Sequence, residues 1–161
     1  MSGRVVRGIA LLVLGGALLG LVWLIGMRNK DSVVVAAQRR VNKAVFNPRQ
    51  LKTAGTPGAY AGIVRHVGRS SGRNYETPVG IEPTADGFAI ALVYGAKSDW
   101  VQNVLAAGSA AIVHEGHEYA VDDPAVVPLE EAMSAFPEDS QGSLRLIGVK
   151  ECLRLRRADA A

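Results

Sequence analysis

The chain has 161 residues, 48% hydrophobic and 20% charged, with one cysteine and a formal net charge of +3. This length favours one compact domain, and the charged fraction is too low for a disordered polyelectrolyte. Cys152 alone excludes an intramolecular disulfide framework and any zinc site built on two or more thiolates.

Charge is distributed unevenly. Residues 1–52 carry nine Lys/Arg and one acid, a net of +8, while residues 53–161 carry nine Lys/Arg and fourteen acids, a net of −5. The basic excess belongs to the first third, and it implies no nucleic-acid partner for the acidic remainder.

Gly8 to Met27 is a run of twenty uncharged residues rich in Leu, Val, Ile, Gly and Ala. At 1.5 Å per residue it spans roughly 30 Å, the hydrocarbon thickness of a bilayer. Trp23 suits the interfacial aromatic belt. A cleaved signal peptide has a shorter apolar core with a small-residue site close behind it. Here the only such site, Val35-Ala36-Ala37, lies nine or ten residues past the run. A buried core helix is rarely apolar on every side for this length. Residues 1–30 are therefore expected to form a transmembrane anchor. Arg28, Lys30, Arg39, Arg40, Lys43, Arg49 and Lys52 follow the span, against Arg4, Arg7 and the α-amino group before it. This bias predicts a single-pass protein of the cell membrane with its C-terminal domain on the cytoplasmic side.

Residues 31–52 form a juxtamembrane segment, with a basic amphipathic helix predicted over 32–47. Val34, Ala37, Val41 and Val45 recur at helical spacing, and Asn47-Pro48 ends the pattern. Such a helix suits an anionic leaflet, so membrane lipids are expected to meet residues 8–27 and 32–47. An ordinary helix packed on the domain would show the same stripe.

Residues 53–161 change texture after Ala54-Gly55-Thr56-Pro57-Gly58. Strand-type runs cover 60–67, 75–82, 87–94, 110–114, 117–121 and 147–156. Asp86-Gly87 and Glu115-Gly116 are hairpin signals. One helix starts at Ser98 or Asp99, presents Trp100, Val101, Val104 and Leu105, and stops at Gly108. A second, short helix is expected over 129–136. The fold class is mainly β with helices, a barrel or sandwich.

His66-Val67-Gly68-Arg69-Ser70-Ser71-Gly72-Arg73 is the most informative segment. Glycines permit a tight turn with exposed amides, and arginines and hydroxyls add donors, which together can hold a phosphate or carboxylates. A solvated basic hairpin loop is the plain alternative. Tyr94-Gly95-Ala96 links a strand to a helix N-terminus, where small residues admit a planar ligand. Trp100 and Asn103, one turn apart, can face that ligand, unless Trp100 is simply core. His114 and His117 flank a turn beside Glu115 and Glu118, but two exposed histidines fall short of the ligand set zinc normally wants, so no metal site is expected. Cys152, in a strand pattern, is expected to be inert.

The run from Arg65-His66-Val67-Gly68-Arg69-Ser70-Ser71-Gly72-Arg73-Asn74-Tyr75-Glu76 through Thr77-Pro78-Val79, then Asp86-Gly87-Phe88, Tyr94-Gly95 and Ser98-Asp99-Trp100-Val101-Gln102-Asn103, resembles the deazaflavin (coenzyme F420)-dependent nitroreductase family. The ending from Leu144 to Arg156 is similar too, and the match covers roughly residues 45–157.

The resemblance implies a split β-barrel, FMN-binding-like, in a superfamily that is often dimeric, so a homodimer is allowed. It implies that Arg69, Ser71, Gly72 and Arg73 grip the phosphate and acidic tail of the cofactor, with Ser70 where relatives are commonly basic and Tyr75 among the cofactor-binding positions. Thr77, Pro78 and Val79 would run along the deazaflavin. Tyr94, Gly95 and Ala96 would meet its ring, followed by Trp100 and Asn103. The cofactor implied is F420, with FMN as the alternative. The activity implied is an F420H2-dependent oxidoreductase passing hydride to an electron-poor small-molecule acceptor, a nitro compound or a lipophilic quinone. The competing reading is a membrane-tethered module that binds a deazaflavin, flavin or lipid without turnover. No catalytic proton donor is identified.

Overall fold

A computed structural model describes residues 3–29, 32–41 and 50–158, without the side chains of 3–15, 32 and 39. Helix α1 spans Gly3–Arg28 and α2 spans Ser32–Val41. They meet at a small residue: a Cβ on Gly26 would lie 2.9 Å from Val34 Cβ. Trp23 Nε1 donates to Gln38 Oε1 at 2.9 Å, and Met27 and Val35 are buried. Val35, rather than the stripe expected from spacing, is the buried residue of α2. Val34 is half-buried, Ala37 and Val41 are exposed, and Val45 and Asn47-Pro48 lie outside the described residues.

Among the described residues no helix is long and apolar enough to cross a membrane. The expected anchor is therefore not met by those residues, and the side chains of its first half, residues 8–15, lie outside them. In the described half, Leu18, Leu19, Leu21, Val22, Trp23 and Ile25 are exposed.

The domain is one curled antiparallel sheet with helices, a half-barrel of mainly β type. Its strands are β1 (Gly62–Val67), β2 (Asn74–Val79), β3 (Glu82–Pro83), β4 (Gly87–Ala91), β5 (Ser109–His114), β6 (His117–Pro128) and β7 (Glu151–Arg157). They are ordered β2-β1-β5-β6-β7-β4-β3, with β2 and β3 as edges. Helix α3 (Asp99–Ala107) follows β4, and a 3-10 helix (Leu129–Ala135) and α4 (Glu138–Leu146) lie between β6 and β7.

Alternation along β7 assigns its residues to two cores. Leu153 and Leu155 pair with Ile90 and Phe88 of β4 and join Val64, Ile112, Val121 and the α3 residues Val101 and Val104 inside the curl. Cys152 faces the other way and packs with Ala89, Leu129, Met133 and Phe136, so the 3-10 helix covers the outer face. Burying a Leu or Phe this fully contributes about 1.5–3 kcal/mol each before entropy is counted.

Three turns repay inspection. Glu115 and Gly116 both have positive φ, 51° and 78°, as a two-residue hairpin with the right twist requires. Gly87 was expected as a turn residue, but its φ is not positive. It is glycine because a Cβ would run into the Leu155 carbonyl and lie 2.9 Å from Arg156 Cα. Strand β6 continues well past the predicted end at Val121. The register slips between Asp122 and Ala125, with Asp123 at φ 50°, so a bulge absorbs Asp123-Pro124 and bends the strand. That bend lets one strand pair with β5 in its first half and β7 throughout the rest.

Candidate functional site

The β1–β2 loop closes on itself. Gly68 N–H donates to Arg73 O and Gly72 N–H to Gly68 O, each at 2.8 Å. A Cβ on Gly68 would collide with Ser71 Oγ and lie 2.7 Å from Tyr75 Cε2, so only glycine permits the Ser71 and Tyr75 side chains to fold back over the turn. There the two hydroxyls lie 3.2 Å apart.

The loop is fastened to α3 through Arg69. Its backbone N–H donates to Asn103 Oδ1 at 3.1 Å and its Nη1 to the same oxygen at 2.9 Å. Nη1 also reaches Asp99 O at 3.2 Å, and Nη2 pairs with Asp99 Oδ1 at 3.1 Å. Asn103 Nδ2 lies 3.2 Å from His66 Nδ1, and His66 Nε2 lies 3.1 Å from Thr77 Oγ1. His66 and Asn103 are each 7% exposed. Burial lowers the His66 pKa below its ordinary 6.5. One network thus joins Arg69, Asp99, Asn103, His66 and Thr77, drawn from β1, β2, the loop and α3.

Of the expected anion nest, the Gly68 and Gly72 amides are occupied by the turn and the Arg69 amide by Asn103. Among the described residues, the amides of Ser70 and Ser71 and the Arg73 guanidinium have no partner, and a Cβ on Gly72 (φ 64°) would meet nothing within 4 Å. These groups define an open, donor-rich rim.

No protein-family model and no curated protein matches the chain. Solved structures similar to it include one described as an F420 reductase, at 10% identity and TM-score 0.46, covering 66% of this chain and 91% of that one. Another is HutZ, the heme storage protein from Vibrio cholerae, at 9% identity and TM-score 0.44, covering 62% and 82%. A third is described as a domain-swapped dimer, at 13% identity and TM-score 0.47, covering 78% and 98%. Likenesses this distant assign no activity.

Of the second group of expected residues, Asn103 joins the loop network through Arg69. Ala96, Trp100 and Val79 are half-buried and pack against the inner core. The Ala96 amide, expected to meet a ring, donates instead to Glu151 Oε2 at 3.1 Å, and Gly95 turns at φ 76°. Ser98 occupies the N-cap position of α3, but its hydroxyl donates to Gly95 O at 2.9 Å and accepts no cap bond from a helix amide. Pro78 is buried within edge strand β2, opposite Ile63. A groove of about 850 Å³ runs along β1, lined by Arg65, His66, Val67, Tyr75, Ala110 and Glu118 among others. It reaches Tyr75 but none of Tyr94, Gly95, Ala96 or Trp100. Beside His66 on β1, Arg65 pairs with both Glu118 and Glu76, which raise its pKa.

Sequence reasoning missed His66, Asp99 and Glu151 as members of these networks. His66 was signalled by its place at the end of an alternating strand, two positions after Val64. Glu151, a lone acid opening β7, left no local sign. Among the described residues no three His, Cys, Asp or Glu side chains converge on a common point for a metal. His117 Nδ1 lies 2.9 Å from Glu115 O, and His114 meets the Phe88 ring edge-on.

Proposed function

We propose that this chain is an F420H2-dependent reductase that passes hydride to an electron-poor acceptor, a nitro compound or quinone. The observation that carries the reading is the loop Gly68–Arg73, fastened to α3 through Arg69 while, among the described residues, Ser70 N–H, Ser71 N–H and the Arg73 guanidinium have no partner. The donor set fits an anionic group. Backbone amides and a guanidinium favour phosphate or carboxylate oxygens, and the space beside Gly72 admits them. Ser70, Ser71 and Arg73 would hold the phosphate and acidic tail, and Thr77, Pro78 and Val79 would flank the ring. When bound, the reduced deazaflavin supplies the hydride. The chain's part is to fix the anionic end, order the edge strand beside it and exclude water with the packed Val79, Ala96 and Trp100.

Membrane attachment through residues 8–27, with the domain on the cytoplasmic side, belongs to the same proposal. The exposed Leu18, Leu19, Leu21, Val22 and Ile25 favour it, because apolar side chains in such numbers call for a cover. A bilayer beside the domain would concentrate a lipophilic acceptor.

The test is titration of the detergent-solubilised full chain with F420, FMN and FAD, followed by F420H2 oxidation with a menaquinone analogue and a nitroaromatic. F420 binding and acceptor-dependent oxidation are expected. Tight FMN binding without F420 binding overturns the cofactor assignment. F420 binding without oxidation by either acceptor leaves a non-catalytic binding module.

A further inference from the structure

The polarity of the hydrogen bonds around Asn103 is forced. Arg69 N–H and Nη1 can only donate, and both point at the same atom, at 3.1 and 2.9 Å, so that atom is the Asn103 oxygen. Its amide nitrogen, which only donates, therefore faces His66 Nδ1 at 3.2 Å. Nδ1 is an acceptor, and neutral His66 carries its proton on Nε2, beside Thr77 Oγ1 at 3.1 Å. Both His66 and Asn103 are 7% exposed, so neither turns readily to water.

A second proton on His66 sets Nδ1–H against the Asn103 NH2. The only acceptor Asn103 can offer is its oxygen, and turning that to His66 sets its NH2 against two Arg69 donors. Both arrangements leave buried donors without acceptors, which is costly. We propose that Asn103 is a proton-operated latch on the β1–β2 loop: while His66 is neutral it holds the Arg69 amide and Nη1, and protonation of His66 frees both from Asn103, leaving Asp99 as the remaining hold on the guanidinium, which an anionic ligand can replace. Only the ligand half rests on reading Gly68–Arg73 as an anion site.

The surroundings of His66 set the direction. From β2 come the Tyr75 ring, stacked at 5.7 Å, and the Thr77 hydroxyl. From α3 comes Asn103, with Arg69 and Asp99 beyond it. Ser109 and Ala110 of β5, along the groove, carry no charge. Arg65 of β1 is occupied by Glu76 and Glu118. Among the described residues no carboxylate faces the ring, and burial lowers its pKa, so the latch opens below the ordinary 6.5.

NMR of the isotope-labelled full chain in detergent tests this, following the His66 ring nitrogens and the Arg69 amide from neutral to about pH 4.5. Both should change with one midpoint below that of free histidine, with Nδ1 the unprotonated nitrogen of the neutral ring. In Asn103→Asp a carboxylate accepts from His66 and Arg69 together. The His66 midpoint should rise by about a unit or more, and the Arg69 amide should stop responding. An Arg69 amide that ignores the wild-type titration, or an Asn103→Asp midpoint at or below wild type, overturns the latch. Sulfate, whose charge is constant over this range, separates the two readings. It should bind about tenfold more tightly below the midpoint than above it. Sulfate that binds at neither pH, with Arg69 still following His66, defeats the anion site and supports the latch.

Discussion

The carboxylate of Glu151 accepts the Ala96 amide at 3.1 Å, so the first residue of the last strand holds the loop that enters α3. The same residue accepts Leu92 N–H on its backbone oxygen at 2.9 Å, and Gln102 Nε2 closes the loop from the other side on Ala96 O at 3.0 Å. Replacing Glu151 by Ala should cost about 1–3 kcal/mol, the range for orphaning a shielded donor. Hydrogen exchange at Ala96 should accelerate more than exchange at Ile90, which lies in the core. Equal acceleration at both would mean the bond matters only to global stability.

Gly87 and Gly142 make an opposed pair. Gly87→Ala drives a methyl into the Leu155 carbonyl across the β4–β7 pairing and should destabilise by about 1–3 kcal/mol. Gly142→Ala, inside α4 with nothing within 4 Å of a new Cβ, should stabilise by up to about 1 kcal/mol. Urea unfolding of both variants checks the signs.

Burial pushes the Cys152 thiol up to about 11. At pH 8 the folded chain should resist iodoacetamide and react once unfolded in urea, which mass spectrometry reads directly. Rapid labelling of the native protein would contradict the packing of Cys152 against Ala89 and Leu129.

The lowered pKa of His66 makes stability depend on pH with a definite sign. Between its folded value and 6.5 the unfolded chain binds a proton that the fold refuses. Stability from this group is complete above 6.5 and declines as pH falls below it, at up to about 1.4 kcal/mol per pH unit. Urea midpoints of wild type and His66→Gln should converge as pH is lowered from 7 to about 5. Raised by burial and by Asp139, the Glu82 carboxyl works the other way above its ordinary 4.5, so the comparison with His66→Gln isolates the histidine.

Local patterns were the legible part of this fold. Strand alternation placed Leu153 and Leu155 inward, Gly108 ended α3 at φ 70°, and Glu115-Gly116 turned its hairpin as its residue types dictate. The extension of β6 was hidden because Asp122-Asp123-Pro124 looks like a strand end, and only pairing with β7 makes it a bulge. Helix α4 was hidden because its residues from Glu138 to Ser143 carry no large apolar side chain and none of the helix is fully buried. Of the site, the donor-rich turn was evident, since Gly, Ser and Arg announce themselves. That Arg69 and the Ala96 amide would be engaged by Asp99, Asn103 and Glu151 depended on contacts 30–55 residues apart, which no short motif encodes.

The strand order carries a consequence for how the protein is made. Strand β7 alone joins β2-β1-β5-β6 to β4-β3, and it ends ninety residues after β1 does. While the ribosome is still translating that stretch, β4 has only the two-residue β3 beside it, the bent half of β6 has no neighbour to close on, and Phe88 and Ile90 lack their partners Leu155 and Leu153. The domain therefore cannot mature segment by segment during synthesis. The nascent chain must be kept from aggregating until Arg157 emerges, long after α1 has left the exit tunnel and met whatever covers its leucines.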